Sequence, residues 1–184
     1  IALGGVGEIG KNCTVIEQGD DIVVVDCGLS FPNEEMLGVD IVIPDFTYLF
    51  ENKDRIRGVF LTHAHEDHVG ALPWLLQKIR VPIYGSELTL LMVKNKLEER
   101  HNLRDVDLRE FRFGDIIEAG SMSVEPIRVT HSIPESGAIA VRTRHGIVLV
   151  TGDFRFDFSP VDGRLSNIGR FGELGKEGVV ALLS

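Results

Sequence analysis

Val59-Phe60-Leu61-Thr62-His63-Ala64-His65-Glu66-Asp67-His68 decides how this chain is read. The apolar residues 59–61 read as a buried strand. Its C-terminal end delivers a polar cluster to a loop, where α/β proteins place their chemistry. The chain has six histidines, and three of them fall between positions 63 and 68. Imidazoles at i and i+2 of an extended segment project to the same side. His63 and His65 can therefore share one metal ion at the usual Zn–N distance of roughly 2.0–2.1 Å. Asp67 and His68, on the turn into a helix, can point to a second position a few ångströms away. Nitrogen and oxygen donors without thiolate suit zinc, with manganese as a harder substitute. The plain alternative is a solvated loop whose histidines cap the helix. Three histidines and an aspartate at this spacing argue against it.

Working outward, two isolated residues fit the same chemistry. His131 lies just past a strand end in Val129-Thr130-His131-Ser132, and Asp153 follows the apolar run Val148-Leu149-Val150. A carboxylate there can bridge two cations, and Gly152 allows close backbone approach. Taken alone, each reads equally well as a turn residue; with the cluster, both are expected as ligands. Asp26 also ends a strand, and its expected role is to accept hydrogen bonds that orient the histidine loop. His101 and His145 occupy polar helix-end and turn contexts and read as surface residues.

The rest of the chain supplies a scaffold. Residues 13–16 and 22–27 are rich in β-branched side chains, and Gly19-Asp20-Asp21 between them predicts a hairpin. Ile22–Val25 is apolar on both faces and should be central in a covered sheet. A short helix is expected around Phe46–Asn52. Another should start near His68, with Val69, Leu72, Leu75 and Leu76 on one face, restricted or kinked by Pro73. Val81–Tyr84 reads as a strand. Ser86 is expected to cap an amphipathic helix to about Arg100, with Leu90, Leu91, Lys94 and Leu97 at helical spacing. Short strands at 109–112, 115–118, 121–129, 137–143 and 146–150 should pair mostly antiparallel. This order of strands, helices and strands predicts an α/β sandwich rather than a doubly wound sheet.

Gly5-Val6-Gly7-Glu8-Ile9-Gly10 matches the dinucleotide fingerprint, with Asp26 following at the end of an apolar strand. The fingerprint requires a helix between Gly10 and the next strand. Cys13-Thr14-Val15-Ile16 prefers a strand there, so the expected structure is a tight turn between two strands.

At 184 residues, 43% hydrophobic and 26% charged, the chain can bury a core without staples. Residues 1–184 read as one domain, and the abrupt ends suggest a piece of a longer protein. Val179–Leu183 reads as a buried strand. No apolar run approaches a membrane span and no signal peptide is evident, so no membrane partner is expected. Cys13 and Cys27 read as small buried side chains, which points to the cytoplasm. A net charge of −9 repels polyanions, although carboxylates are what cations need.

Asp26, His63-x-His65-x-Asp67-His68, His131 and Gly152-Asp153 together resemble the metallo-β-lactamase superfamily. Within it, the chain is most similar to the bacterial ribonuclease J family of the β-CASP branch. That likeness rests on Leu3-Gly4-Gly5-Val6-Gly7-Glu8-Ile9-Gly10-Lys11-Asn12, Asp26-Cys27-Gly28, Phe31-Pro32, Gly38-Val39-Asp40, Thr62–His68, His131-Ser132-Ile133-Pro134 and Thr151-Gly152-Asp153-Phe154. The resemblance implies an αββα sandwich, incomplete in this chain. It also implies that His63, His65 and His131 hold one zinc, that Asp67 and His68 hold the other, and that Asp153 bridges both. Asp67 and His68 are the expected catalytic pair. The family's seventh ligand is a later histidine with no counterpart after His145, and its β-CASP domain, which forms much of the RNA channel, is absent as well. Leu182-Leu183-Ser184 resembles the point where that domain begins.

The function implied is hydrolysis of RNA phosphodiesters, from the 5′ end and internally, in RNA processing and decay. Two metals about 3.5–4 Å apart can activate a bridging hydroxide for this reaction. The resemblance also implies a homo-oligomer, dimer or tetramer, in the full-length protein. Two other readings stay open: a small-molecule hydrolase of the same fold, such as a thioesterase or lactamase, and a metal-binding module without catalysis.

Overall fold

In the computed structural model, which describes residues 1–99 and 105–184, the first hairpin forms as its turn signal predicts. Strands β2 (Cys13–Gln18) and β3 (Asp21–Val25) pair antiparallel with Gln18 opposite Asp21. Gly19 supplies the left-handed angle of the turn at φ +56°. Strand β1 (Ala2–Gly4) pairs antiparallel with β2, and the glycine run 5–10 is the connection between them, without a helix. The dinucleotide geometry is therefore absent.

Strands β4 (Ile56–Phe60), β5 (Ile83–Gly85) and β6 (Leu108–Glu110) extend this sheet in parallel from β3, giving the order β1-β2-β3-β4-β5-β6. The second sheet contains β7 (Ile117–Ala119), β8 (Met122–Arg128), β9 (Gly137–Thr143), β10 (Gly146–Val150) and β11 (Val179–Leu183), in the order β11-β10-β9-β8-β7. Its pairs are antiparallel except β10 with β11.

Period-two alternation builds the layers. Val23 and Val25 of β3, with Phe60 and Tyr84, meet Met122, Val124, Ile139 and Val141 of the second sheet. Ile22 and Val24 point the other way, to a core shared with four helices: α1 (Thr47–Glu51), α2 (Glu66–Val69), α3 (Leu72–Leu75) and α4 (Glu87–Glu98). On the far side, Val129, Ala138, Ala140 and Leu149 are covered by Leu174 and Phe171 of α5 (Ile168–Glu177). The result is the expected αββα sandwich, with β3 central and covered on both faces.

Several local expectations differ from what is observed. The helix expected from about His68 begins two residues earlier, at Glu66, and is split into α2 and α3 around Gly70-Ala71, with Pro73 in the first turn of α3. In α4, Leu91 is exposed, and the buried face is Thr89, Leu90, Val93 and Leu97. Ser86 occupies the cap position but its side chain bonds Thr89 and the Glu135 carbonyl; Glu135 Oε2 accepts the Leu88 amide instead, 2.9 Å away. The strand near 109 joins the first sheet in parallel, not the antiparallel run. Strand β11 is an edge with Val180 and Leu182 58% and 62% exposed, so it is not the buried strand its composition suggests. The expected helix end at Arg100, and His101, lie outside the described residues. His145 is exposed in the β9–β10 turn, and Cys13 and Cys27 are buried free thiols, as read from sequence. No helix among the described residues is long and apolar enough to cross a membrane.

Candidate metal centre

Asp26, the histidine loop, His131 and Asp153 each follow a strand end: β3, β4, β8 and β10 respectively. The sandwich brings these ends to one rim. There, His63, His65, His131 and Asp153 each offer a donor atom within 4.8 Å of the others, and so do Asp67, His68 and Asp153. Asp153 belongs to both groups. All six residues expected as ligands are thus gathered, and His145 stays outside.

The spacing within the first group suits a cation. His65 Nδ1 lies 3.0 Å from His63 Nε2 and 3.2 Å from His131 Nε2. Tetrahedral bonds of roughly 2.0–2.1 Å put neighbouring donor atoms about 3.3 Å apart. Burial and then the neighbouring imidazoles pull His63 down to about 3, so its ring is neutral and its lone pair is available. In the second group His68 Nε2 is 3.5 Å from Asp67 Oδ2 and 3.4 Å from Asp153 Oδ1. Burial opposes charge on His68, but Asp26, Asp153 and Asp67 outweigh it and raise its pKa to about 12. Asp153 is held at about 2, chiefly by its hydrogen bond to His68. Three carboxylates around one imidazole attract positive charge, whether it comes as a proton or as a metal ion. The fold and the donor set together suit a metal ion.

Asp26 belongs to neither donor group but contacts one of their members, His68. Its carboxylate accepts the Thr62 amide at 2.8 Å, the Thr62 hydroxyl at 2.9 Å, and faces His68 Nδ1 at 2.8 Å. With Nδ1–H donated to Asp26, the Nε2 lone pair of His68 is turned toward Asp67 and Asp153. Asp26 does this at φ +62°, a left-handed angle that Asp tolerates better than most residues.

Two further residues carried no assigned role in the sequence reading. Thr62 Oγ1 lies 3.0 Å from His63 Nδ1 and 3.3 Å from His68 Nδ1, so one hydroxyl is in contact with both rings. Its place between strand and cluster was the available signal. Asn12 Nδ2 lies 3.0 Å from the Asp67 carbonyl and 3.1 Å from His68 Nε2. Nothing local marks Asn12, because its partners are 55 and 56 residues away. Glu66, by contrast, turns out of the site to an ion pair with Lys96 on α4.

The fold has counterparts among known proteins. The family model described as the metallo-beta-lactamase superfamily matches residues 6–178. Ribonuclease J2 of Bacillus subtilis (strain 168) is 47% identical over 184 residues, covering 100% of this chain and 33% of the relative. Ribonuclease J 1 of Streptococcus pyogenes is 44% identical over 183 residues, covering 100% of this chain and 32% of that protein. The chain therefore spans about a third of the length of these curated relatives. The crystal structure of the metallo-beta-lactamase fold protein YhfI from Bacillus subtilis superposes with a TM-score of 0.57 at 19% identity, covering 85% of this chain and 60% of that one.

Proposed function

This chain belongs to the metallo-β-lactamase superfamily, and from that premise we propose that it carries the metal-binding part of a ribonuclease that hydrolyses RNA phosphodiesters with two divalent cations. RNA as substrate is supported by the likeness, over the whole of this chain and about a third of theirs, to ribonucleases J of two organisms. The observation that carries the two-cation reading is the sharing of Asp153 by both donor sets. His63, His65 and His131 would hold one ion, Asp67 and His68 the other, with Asp153 between them. Zinc fits these nitrogen and oxygen donors, and manganese is the harder substitute.

Bound there, the cations supply Lewis acidity, lowering the pKa of water toward neutrality and offsetting charge that develops on the phosphodiester. The chain's own residues do the positioning. Asp26 keeps the proton of His68 on Nδ1, so Nε2 stays a donor. Thr62 contacts the Nδ1 atoms of His63 and His68, and Asn12 ties Asp67 to the glycine turn. Gly152, at φ +57°, lies so close to Thr62 that a Cβ would stand 2.8 Å from the Thr62 Cβ, bringing the Asp153 loop against the histidine loop. Cleavage both from the 5′ end and internally, a role in cytoplasmic RNA processing and decay, and assembly as a dimer or tetramer belong to the same reading.

The test is cleavage of labelled RNA by the whole protein, alongside elemental analysis. Wild type should hold about two zinc or manganese ions and cut RNA; Asp67→Ala and His68→Ala should abolish cutting, and His63→Ala should lower the metal content. Near-normal cutting by Asp67→Ala and His68→Ala would overturn the two-cation mechanism. Hydrolysis of a thioester but not of RNA would replace the ribonuclease by a small-molecule hydrolase, and bound metal with neither activity would leave a non-catalytic module.

A further inference from the structure

Arg55, Arg57, Arg109, Arg142, Arg155 and Arg170 each face a carboxylate within 4.0 Å. Among the described residues, Arg80, Arg112, Arg128, Arg144 and Arg164 do not. Arg80 donates to the Asp105 carbonyl at 3.2 Å, and Arg144 to His145 at 2.9 Å. The remaining three, Arg112, Arg128 and Arg164, all line one cavity of about 680 Å³ between the second sheet and the segment leading into α5.

The lining also carries Glu87, Glu110, Glu125 and Glu135, so the recess is mixed in charge, and the three guanidiniums stand out by having no carboxylate within 4.0 Å among the described residues. Like charges in a partly desolvated recess repel more strongly than in bulk water. At Arg128, burial and then the charge of Arg164 depress the pKa against the opposing pull of Asp162 and Glu135. Glu125 is committed to Arg142 and Arg170. Glu135 accepts the Leu88 amide, and Glu87 and Glu110 are exposed to solvent, as are Arg112 and Arg164. The guanidinium carbon of Arg128 stands 4.3 Å from the centre of the Phe113 ring, which covers one face and leaves the N–H edges available.

The cavity adjoins a second one that is lined by His131. This second cavity, of about 270 Å³, is lined by His131, Ser132 and Arg155, and it shares Glu135 and Arg164 with the first. Arg128 precedes His131 by three residues on an extended segment, a reach of roughly 10 Å.

We propose that Arg164 and Arg128, with Arg112 beyond them, form a subsite for the phosphodiester groups of an RNA strand whose scissile phosphate lies at the His131 side. The proposal rests on the ribonuclease reading and adds the path of the strand. A guanidinium matches a phosphate with paired N–H donors. In a chain of net charge −9, guanidiniums without a carboxylate partner are the groups that can offer charge-assisted N–H bonds to a polyanion.

The experiment measures binding of a single-stranded RNA oligonucleotide to the whole protein across a salt series, in a common Asp67→Ala background that keeps the strand intact. Arg164→Gln and Arg128→Gln should each weaken binding about threefold to tenfold and flatten the salt dependence by about 0.7, one phosphate contact. Arg164→Lys should keep the slope, and Arg144→Gln, remote from both cavities, should change neither quantity. Arg164 is exposed, so its thermal midpoint should stay at the parent value and separate lost contact from lost fold. Wild-type affinity and slope in both Gln variants would overturn the subsite while leaving the ribonuclease reading intact. Absence of RNA binding by the Asp67→Ala parent together with absence of RNA cutting by the wild type would overturn that reading and the subsite with it.

Discussion

Oδ2 of Asp26 lies 2.8 Å from Nδ1 of His68, across 42 residues of sequence, and both side chains are almost entirely withdrawn from solvent. The contact fixes which nitrogen of His68 carries the proton and so which one faces the other donors. Partners that hold a ligand's far nitrogen in this way raise its basicity and lock its orientation.

Asp26→Asn should therefore lower metal affinity about 10–100-fold. Asn tolerates the left-handed angle at position 26 and still accepts the Thr62 amide, so the fold should survive. Competition with a chromophoric chelator measures the change, and undiminished affinity would remove Asp26 from its orienting role.

Gly28 packs against the histidine loop with no space to spare. A Cβ there would stand 1.5 Å from the Asp67 carbonyl oxygen, a backbone atom that cannot swing aside. Gly28→Ala should destabilise the protein by about 1–3 kcal/mol or more and reduce metal occupancy. Thermal melting and elemental analysis report the two effects, and a wild-type midpoint would contradict the packing described.

Glu125 is buried on β8 and joined to Arg142 at 2.7 Å and Arg170 at 2.7 Å, the link between β8, β9 and α5. Glu125→Gln leaves two guanidiniums facing a neutral side chain. Because these arginines reach solvent and keep Glu173 and Glu177, the loss should fall at about 1–3 kcal/mol, below that of a fully buried pair. Denaturant unfolding measures it; no shift in midpoint would show that α5 is held by Leu174 and its apolar neighbours alone.

Asp21 joins the β2–β3 turn to the β7–β8 turn, accepting the Ser121 amide at 2.6 Å and pairing with Arg57. Hydrogen bonds from Ser121 and Arg57 hold its carboxyl at about 2. A folded pKa below the unfolded value of roughly 3.9 stabilises the fold above that value and is lost as pH falls toward 2. Asp21→Asn should lower the melting midpoint at pH 7, and the gap to wild type should close between about pH 4 and pH 2. A gap independent of pH would assign the effect to packing.

How much of this was legible beforehand follows from the range over which each signal acts. The β2–β3 hairpin needed only two β-branched runs and a glycine turn. The His63–His68 cluster needed only its spacing at a strand end. Helix details were less legible. Pro73 marked a disturbance, but the break came at Gly70-Ala71, because the α2 turn is pinned by backbone bonds from Cys27 and Leu29 to His68 and Glu66. Ser86 stood where a cap should be, yet the Leu88 amide found Glu135, 47 residues on.

By itself, the sequence determined which residue types stand at strand ends, which strands bury both faces, and that three imidazoles and a carboxylate share one loop, since these depend on neighbours a few residues apart. Tertiary structure alone decided that Asp153 stands between two donor sets, that Asn12 and Thr62 brace the histidine loop, that β11 is an exposed edge, and that Arg112, Arg128 and Arg164 meet in one cavity. Each of those depends on how two sheets stack and which strand ends come to share a rim, distances that no local pattern of residues encodes.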